Sequence, residues 1–346
     1  MKKILLIFLV SCIGITLMAQ HDIDRPLLTK SLAGGAVKNV EVETSGGNIS
    51  VESVAAGQAR IEVFAWPSNW KNGTVLKEEI QKTMDDFYDL KIDINDNKVT
   101  AIAKPKSKNW NGKNSLSISF KVFVSANVST HLTTSGGNID IRALSGDHNI
   151  TTSGGNLTID RVKGKLKGTT SGGNIQVKDS DDNIDLTTSG GNIEANNCTG
   201  GIKLVTSGGS IMLANLDGNV DATTSGGDVQ ATSISGELQA HTSGGNIDLV
   251  GLSCNLETGT SGGNIKVAIK EPGKFIKIKN SAGKIELQLP GGKGYDLDLS
   301  ADKIKTDNLV NFKGKVADDE VDGKLNGGGT QVTAKASSGK IILTLK

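Results

Sequence analysis

Apolar and polar positions in the middle of this chain fall into columns. The hexamer Thr-Ser-Gly-Gly-Asn-Ile at residues 134–139 is the first of eight copies, some with small substitutions, at an interval of 18 residues, the last starting at Thr260. Counting from each motif Ser, apolar residues stand four positions on (Ile139, Leu157, Ile175) and six on (Ile141, Ile159, Val177). Others stand nine on (Leu144, Val162, Cys198), thirteen on (Leu166, Ile184, Ile202) and fifteen on (Ile150, Leu186, Leu204). Steps of two are strand alternation, one face in and one out, and the larger jumps are turns. A fixed short period of strands without helix predicts an all-β solenoid, a parallel β-helix with 18-residue coils. One coil buries too little to offset the ordering of its backbone, so each needs neighbours and the two ends need caps.

The polar columns give the expected corners. Gly136 and Gly137, with Gly154 and Gly155, Gly172 and Gly173, and Gly190 and Gly191, suit a tight turn using positive φ. Asn138, Asn156, Asn174 and Asn192 would stack amide on amide as a ladder, which Ser210 and Asp228 interrupt. The Thr column suits a strand, as a β-branched residue.

Outside residues 131–268 the pattern loosens. Residues 20–130 read as irregular first coils with a capping insertion that carries one short helix. That helix would run from about residue 75 to 88, with Leu76, Ile80, Met84 and Phe87 on one face. An outlying motif copy at residues 44–49 lies 90 residues before the first regular one, a multiple of the period. Residues 269–346 read as degenerate coils and a cap. Residues 280–285 and 336–341 replay the motif with Lys284 and Lys340 in place of Asn.

Composition adds export and subtracts some partners. Lys2 and Lys3 precede an apolar run to Met18, which reads as a signal peptide over residues 1–19. An alternative is a lipoprotein signal with Cys12 acylated. The run is short for a membrane span, and the mature chain offers no other. The whole chain has 38 basic and 37 acidic residues, and loses two basic ones with Lys2 and Lys3, so a nucleic-acid partner is not expected. The destination is the periplasm, the outer-membrane surface or the medium.

The Ser-Gly-Gly-Asn-Ile coils, the export signal, the helix-bearing start and the closing segments at residues 289–292 and 338–341 resemble the bacterial putative-adhesin family of β-strand-repeat proteins. They are similar, more distantly, to the auto-transporter-adhesin-like head-domain family common in Bacteroidetes. The resemblance implies a single-stranded right-handed parallel β-helix on the cell envelope. It supplies no catalytic residues, cofactor or metal.

Candidate chemistry is sparse. Acidic residues scatter through the repeats. The densest group, Asp179, Asp181 and Asp182, reads as a solvated turn in preference to a cation site. His21, His131, His148 and His241 lack metal-ligand spacing, and His148 falls in an inward column, as a hydrogen-bonded core position or one tilted to solvent in preference to a base. Cys198 lies inward and Cys254 in a turn, too far apart for a disulfide. No aromatic residue occurs between Val124 and Lys274, so the regular coils offer sugars no stacking platform. Trp66, Trp70 and Trp110 lie in the N-terminal insertion, either as packing for the helix or as a ligand-facing patch. The resulting expectation is a non-enzymatic, adhesin-like interaction module for a glycan or protein ligand. A carbohydrate-active β-helix enzyme and a structural or sensory envelope component are the alternatives.

Overall fold

The structure, a computed structural model, describes residues 25–32, 37–68, 77–106 and 115–346. The signal segment, Cys12, Trp70 and Trp110 lie outside the described residues. The protein is all-β apart from one helix. In chain order the first elements are β1 (Leu28–Ser31), β2 (Asn39–Thr44), β3 (Ile49–Ser53), β4 (Arg60–Pro67), α1 (Lys77–Phe87), β5 (Tyr88–Asn95) and β6 (Lys98–Pro105). They are followed by β7 (Leu116–Val124), β8 (Ser129–Thr134), β9 (Ile139–Arg142) and β10 (Ser145–Thr151).

From β8 onward the chain forms rungs. Strand Ile139–Arg142 pairs in parallel with Leu157–Asp160, and that strand with Ile175–Lys178, always 18 residues on. The second ladder repeats this step, with Ser145–Thr151 against Lys163–Thr169 and then Asp181–Thr187. From Ile211–Thr223 the two strands of a rung merge into one long strand. All five inward columns are buried, from Ile139 to Ile265 at four and from Ile150 to Thr258 at fifteen, and together they form one continuous core. A parallel sheet covered on one face by its own stacked side chains needs apolar residues only at these alternate positions.

The two ends break the period in the same way. After β3 the chain leaves the stack, makes β4, α1 and β5, and returns as β6 and β7 on the outer side of β2 and β3. It then crosses to lay β8 and β9 on their inner side. The motif at residues 44–49 therefore sits directly on that at 134–139, so the 90-residue spacing is a single step along the stack. Beyond β6 and β7 the pairing turns antiparallel, with β5 on β6, β4 on β7 and β1 on β4. At the far end Thr330–Leu345 inserts between Phe275–Leu289 and the strands Tyr295–Ser300 and Lys303–Thr306, all parallel. This sets Lys340 beside Lys284 and Ile341 beside Ile285, so the two degenerate motifs stack. Antiparallel Glu320–Leu325 and Phe312–Val316 close that end.

The helix packs on the N-terminal strands through buried Met84 and half-buried Ile80. Phe87, expected on that face, is exposed, because the chain turns at once into β5 and directs Tyr88 to the core instead. Cys254 is a second correction: it lies buried within the strand Ile247–Thr260, opposite Gly236, and not in a turn. Among the described residues no helix is long and apolar enough to cross a membrane.

Candidate functional site

The repeated corner is a hydrogen-bond machine that runs the length of the stack. Each motif Thr is buried, and its Oγ1 donates to the carbonyl of the second Gly of the preceding rung. Thr152 donates to Gly137, Thr170 to Gly155 and Thr188 to Gly173, at 2.8–2.9 Å. The same hydroxyl accepts from the second Gly N–H of its own rung, as Gly155 to Thr152 at 3.2 Å. Thr is thus required for its hydroxyl, and the strand-propensity reading misses this.

The glycines are also present for a reason other than the expected one. None of the Gly residues in the regular motif copies has positive φ, whereas Gly283 and Gly339 of the two degenerate copies do. A Cβ on Gly137, Gly155, Gly173 or Gly191 would lie 1.9–2.0 Å from the carbonyl oxygen of the rung before, so the second Gly is required by close approach of two backbones. A Cβ on Gly154, Gly172 or Gly190 meets nothing nearer than 3.6 Å. Left-handed backbone occurs at the other corner, at Ala143, Arg161, Asp179, Asn197, Asn215 and Ser233, with φ from 51° to 59°. That position is not glycine in any of these six rungs, but three residues on a second positive-φ position is Gly146, Gly164, Gly200, Gly218 and Gly236, with Asp182 in the third rung, a glycine column that the motif-centred reading passes over.

The Asn column makes a ladder of a different kind from the amide stack expected. The Oδ1 of each Asn accepts the backbone N–H of the next rung's residue in that column. Asn156 N–H donates to Asn138, Asn174 to Asn156 and Asn192 to Asn174, at 2.7–2.8 Å. Ser210 and Asp228 continue the ladder, because Ser210 Oγ accepts from Asp228 N–H and Asp228 Oδ1 accepts from Asn246 N–H. It starts at Ser119 Oγ, which accepts from Asn48, and ends at Lys284 N–H on Asn264. Beside it, the side chains of Asn156, Thr158, Asn174, Gln176, Glu194 and Met212 line a shallow open groove of about 300 Å³. Gln176 donates to Glu194 at 3.3 Å, and Met212 is 39% exposed.

The structure brings Trp66 onto this face and leaves it half-buried. Phe64 stands opposite Ser119, the first acceptor of the ladder, and the Trp66 ring lies 6.0 Å from the Phe64 ring. Lys121 Nζ sits 4.8 Å from Phe64, and the Arg60 guanidinium 3.8 Å from the Phe123 ring. These cations cover the aromatic faces, so Phe64 is buried although it points outward.

His148 is buried, with Nδ1 3.0 Å from Thr130 Oγ1 and Nε2 without a partner among the described residues. Burial pushes its pKa down to about 4, opposed by neighbouring Asp147. Burial likewise raises the Cys198 thiol and pushes that of Cys254 up to about 12, so both free thiols are poor nucleophiles. Of the acidic group, Asp179 and Asp182 take left-handed backbone, and Asp181 accepts from Thr199. Among the described residues no group of three or more His, Cys, Asp or Glu is placed to hold a metal ion.

Residues 177–344 match the family model described as Toastrack DUF4097. The matched segment takes in the later regular rungs and the C-terminal end, and leaves out the first rungs and the helix-bearing start. No curated protein matches the chain. Two solved structures align over most of it. One is described as a putative cell adhesion protein from Clostridium sporogenes, 12% identical, with 92% of this chain and 98% of that one covered and a TM-score of 0.18. The other is described as a putative adhesin from Bacteroides fragilis, 14% identical, with 92% and 96% covered and a TM-score of 0.24. Both scores lie below the level that marks a shared fold.

Proposed function

We propose that this protein is an exported, non-enzymatic interaction module of the cell envelope, adhesin-like in action and built as a right-handed parallel β-helix of 18-residue coils. One observation carries the reading. The chemically capable motif residues are engaged in joining rung to rung, while the outward columns stand in straight, open rows. Thr hydroxyls, second-Gly backbone and Asn Oδ1 atoms all serve the stack. What remains for a partner is a long, rigid, largely neutral strand face with the groove at residues 156–212. Such a face suits extended contact of modest strength per rung, summed along the axis.

The test is a glycan and host-protein array probed with the purified mature chain. The reading expects retention on a defined set of ligands. It fails if the chain binds nothing on the array, and its non-enzymatic part fails if carbohydrate polymers incubated with the chain release new reducing ends.

A further inference from the structure

We propose that the face bearing the Asn ladder binds a linear neutral polysaccharide whose chain runs along the stack axis. In this complex the amides of Asn138, Asn156, Asn174 and Asn192 donate to sugar oxygens, and the Glu194 carboxylate accepts from sugar hydroxyls. The inference rests on the reading of the protein as an interaction module and names its ligand class.

The orientation of each amide is settled by chemistry. A backbone N–H can only donate, so the atom of Asn138 facing Asn156 N–H is Oδ1, and the same holds up the ladder. The Nδ2 group is then turned the other way. All four Asn side chains are exposed, and no described residue accepts from their Nδ2 atoms. The result is a straight row of free NH₂ donors, one per rung, about 4.8 Å apart. Because the stack fixes each one, little side-chain entropy is lost when a ligand engages them.

The groove beside the row decides what kind of ligand fits. Its lining is amide, hydroxyl and thioether, with Glu194 as its one charged side chain. A polyanion would meet no cation there and would be repelled by Glu194. An extended peptide adding a strand needs a free sheet edge, whereas these rungs are paired on both sides. A polyol both donates and accepts, which answers an array of NH₂ donors with a carboxylate among them. Met212 supplies an apolar surface for a sugar C–H face in a region without aromatics.

The chain itself supplies the design of the test. Ser210 and Asp228 replace Asn and keep the ladder intact. The triple variant Asn156→Ser, Asn174→Ser, Asn192→Ser therefore replaces three outward NH₂ groups, each with two donors, by shorter hydroxyls with one donor each, and retains an acceptor at each rung. Wild type and variant are compared by affinity electrophoresis in dextran, laminarin, mannan and xylan, with hyaluronan as the anionic arm. Wild type should be retarded by at least one neutral polymer, and the variant should bind it about tenfold more weakly or worse at an unchanged thermal midpoint. If the triple variant does not fold, the single variant Asn174→Asp takes its place, with weaker retardation expected. Unchanged retardation of a folded variant overturns the inference, as does wild-type retardation by hyaluronan alone. Binding to array proteins with no polysaccharide retained sinks this inference and leaves the interaction reading standing. Binding to nothing sinks both.

Discussion

Two adjacent glycines and one histidine show how far a single side chain can matter in a stack. Adding a methyl group at Gly155 drives it into the Gly137 carbonyl, 1.9 Å away, and neither backbone can move without unstacking a rung. Gly155→Ala should cost about 3 kcal/mol or more, whereas Gly154→Ala should stay within about 0.5 kcal/mol. Urea unfolding of the two variants reads the contrast, and equal losses would contradict the close-approach account. At His148 the folded state holds the neutral ring, and the unfolded chain takes up a proton below its ordinary pKa near 6.5. Stability is therefore full above about pH 6.5 and declines as pH falls toward about 4, by about 3 kcal/mol at most. His148→Leu, which copies Leu166 one rung on, should remove that decline, measured as the difference in unfolding free energy between about pH 7 and about pH 4.5. The variant leaves Thr130 Oγ1 without its ring partner, which costs the same at every pH. The inward columns, His148 among them, were legible in the sequence because burial selects apolar residues at alternate positions. The corner chemistry was not. What Thr, Gly and Asn do there is decided by contacts with the next rung, and a column of letters shows the repetition without the partner atom.

At the scale of elements, the ends carry the information that the period lacks. A parallel stack exposes rows of unpaired backbone groups at each end, and both ends of this chain meet that with antiparallel strands. The outermost strand at that end, Phe312–Val316, pairs among the described residues only with Glu320–Leu325, and carries Lys313 and Lys315 between exposed Val310 and Val316. Charged side chains on an edge oppose pairing with a second chain. The double variant Lys313→Val, Lys315→Val should therefore self-associate, seen as a rise in light scattering or a shift to larger species in size-exclusion chromatography. A variant that stays monodisperse would show that the lysines do not guard this edge. The sequence signalled caps through loss of period and through a helix read at about residues 75–88, which the structure shows at Lys77–Phe87, but not the order of strands within them. That order depends on Thr330–Leu345 returning to lie inside Tyr295–Ser300, a long-range pairing that local alternation does not encode.

At the scale of the whole molecule, the stack converts an 18-residue period into straight columns, and the columns face either the core or a partner. The Asn column runs from Asn48 to Asn264, past the Phe64–Trp66 pair at one end and the groove near its middle. Of the three Trp residues read as either helix packing or a ligand patch, Trp66 lies on this face, half-buried, Trp70 and Trp110 lie outside the described residues, and the better-exposed groups are the amides. Sequence reasoning passed them over because it assigned the whole amide to stacking. The signal that separates the two roles is the backbone donor one rung away.

Extended contact along these columns is the claim on which the functional account turns, and its most direct measurement is affinity as a function of ligand length. Oligosaccharides of increasing length, cut from whichever neutral polysaccharide the wild-type chain retains, are titrated calorimetrically against it. The account predicts that affinity climbs with each added sugar until the ligand spans the groove, about 14 Å from the rung of Asn156 to that of Met212, and then levels off. Affinity already complete in the shortest oligosaccharide would place recognition in a single local site and contradict it.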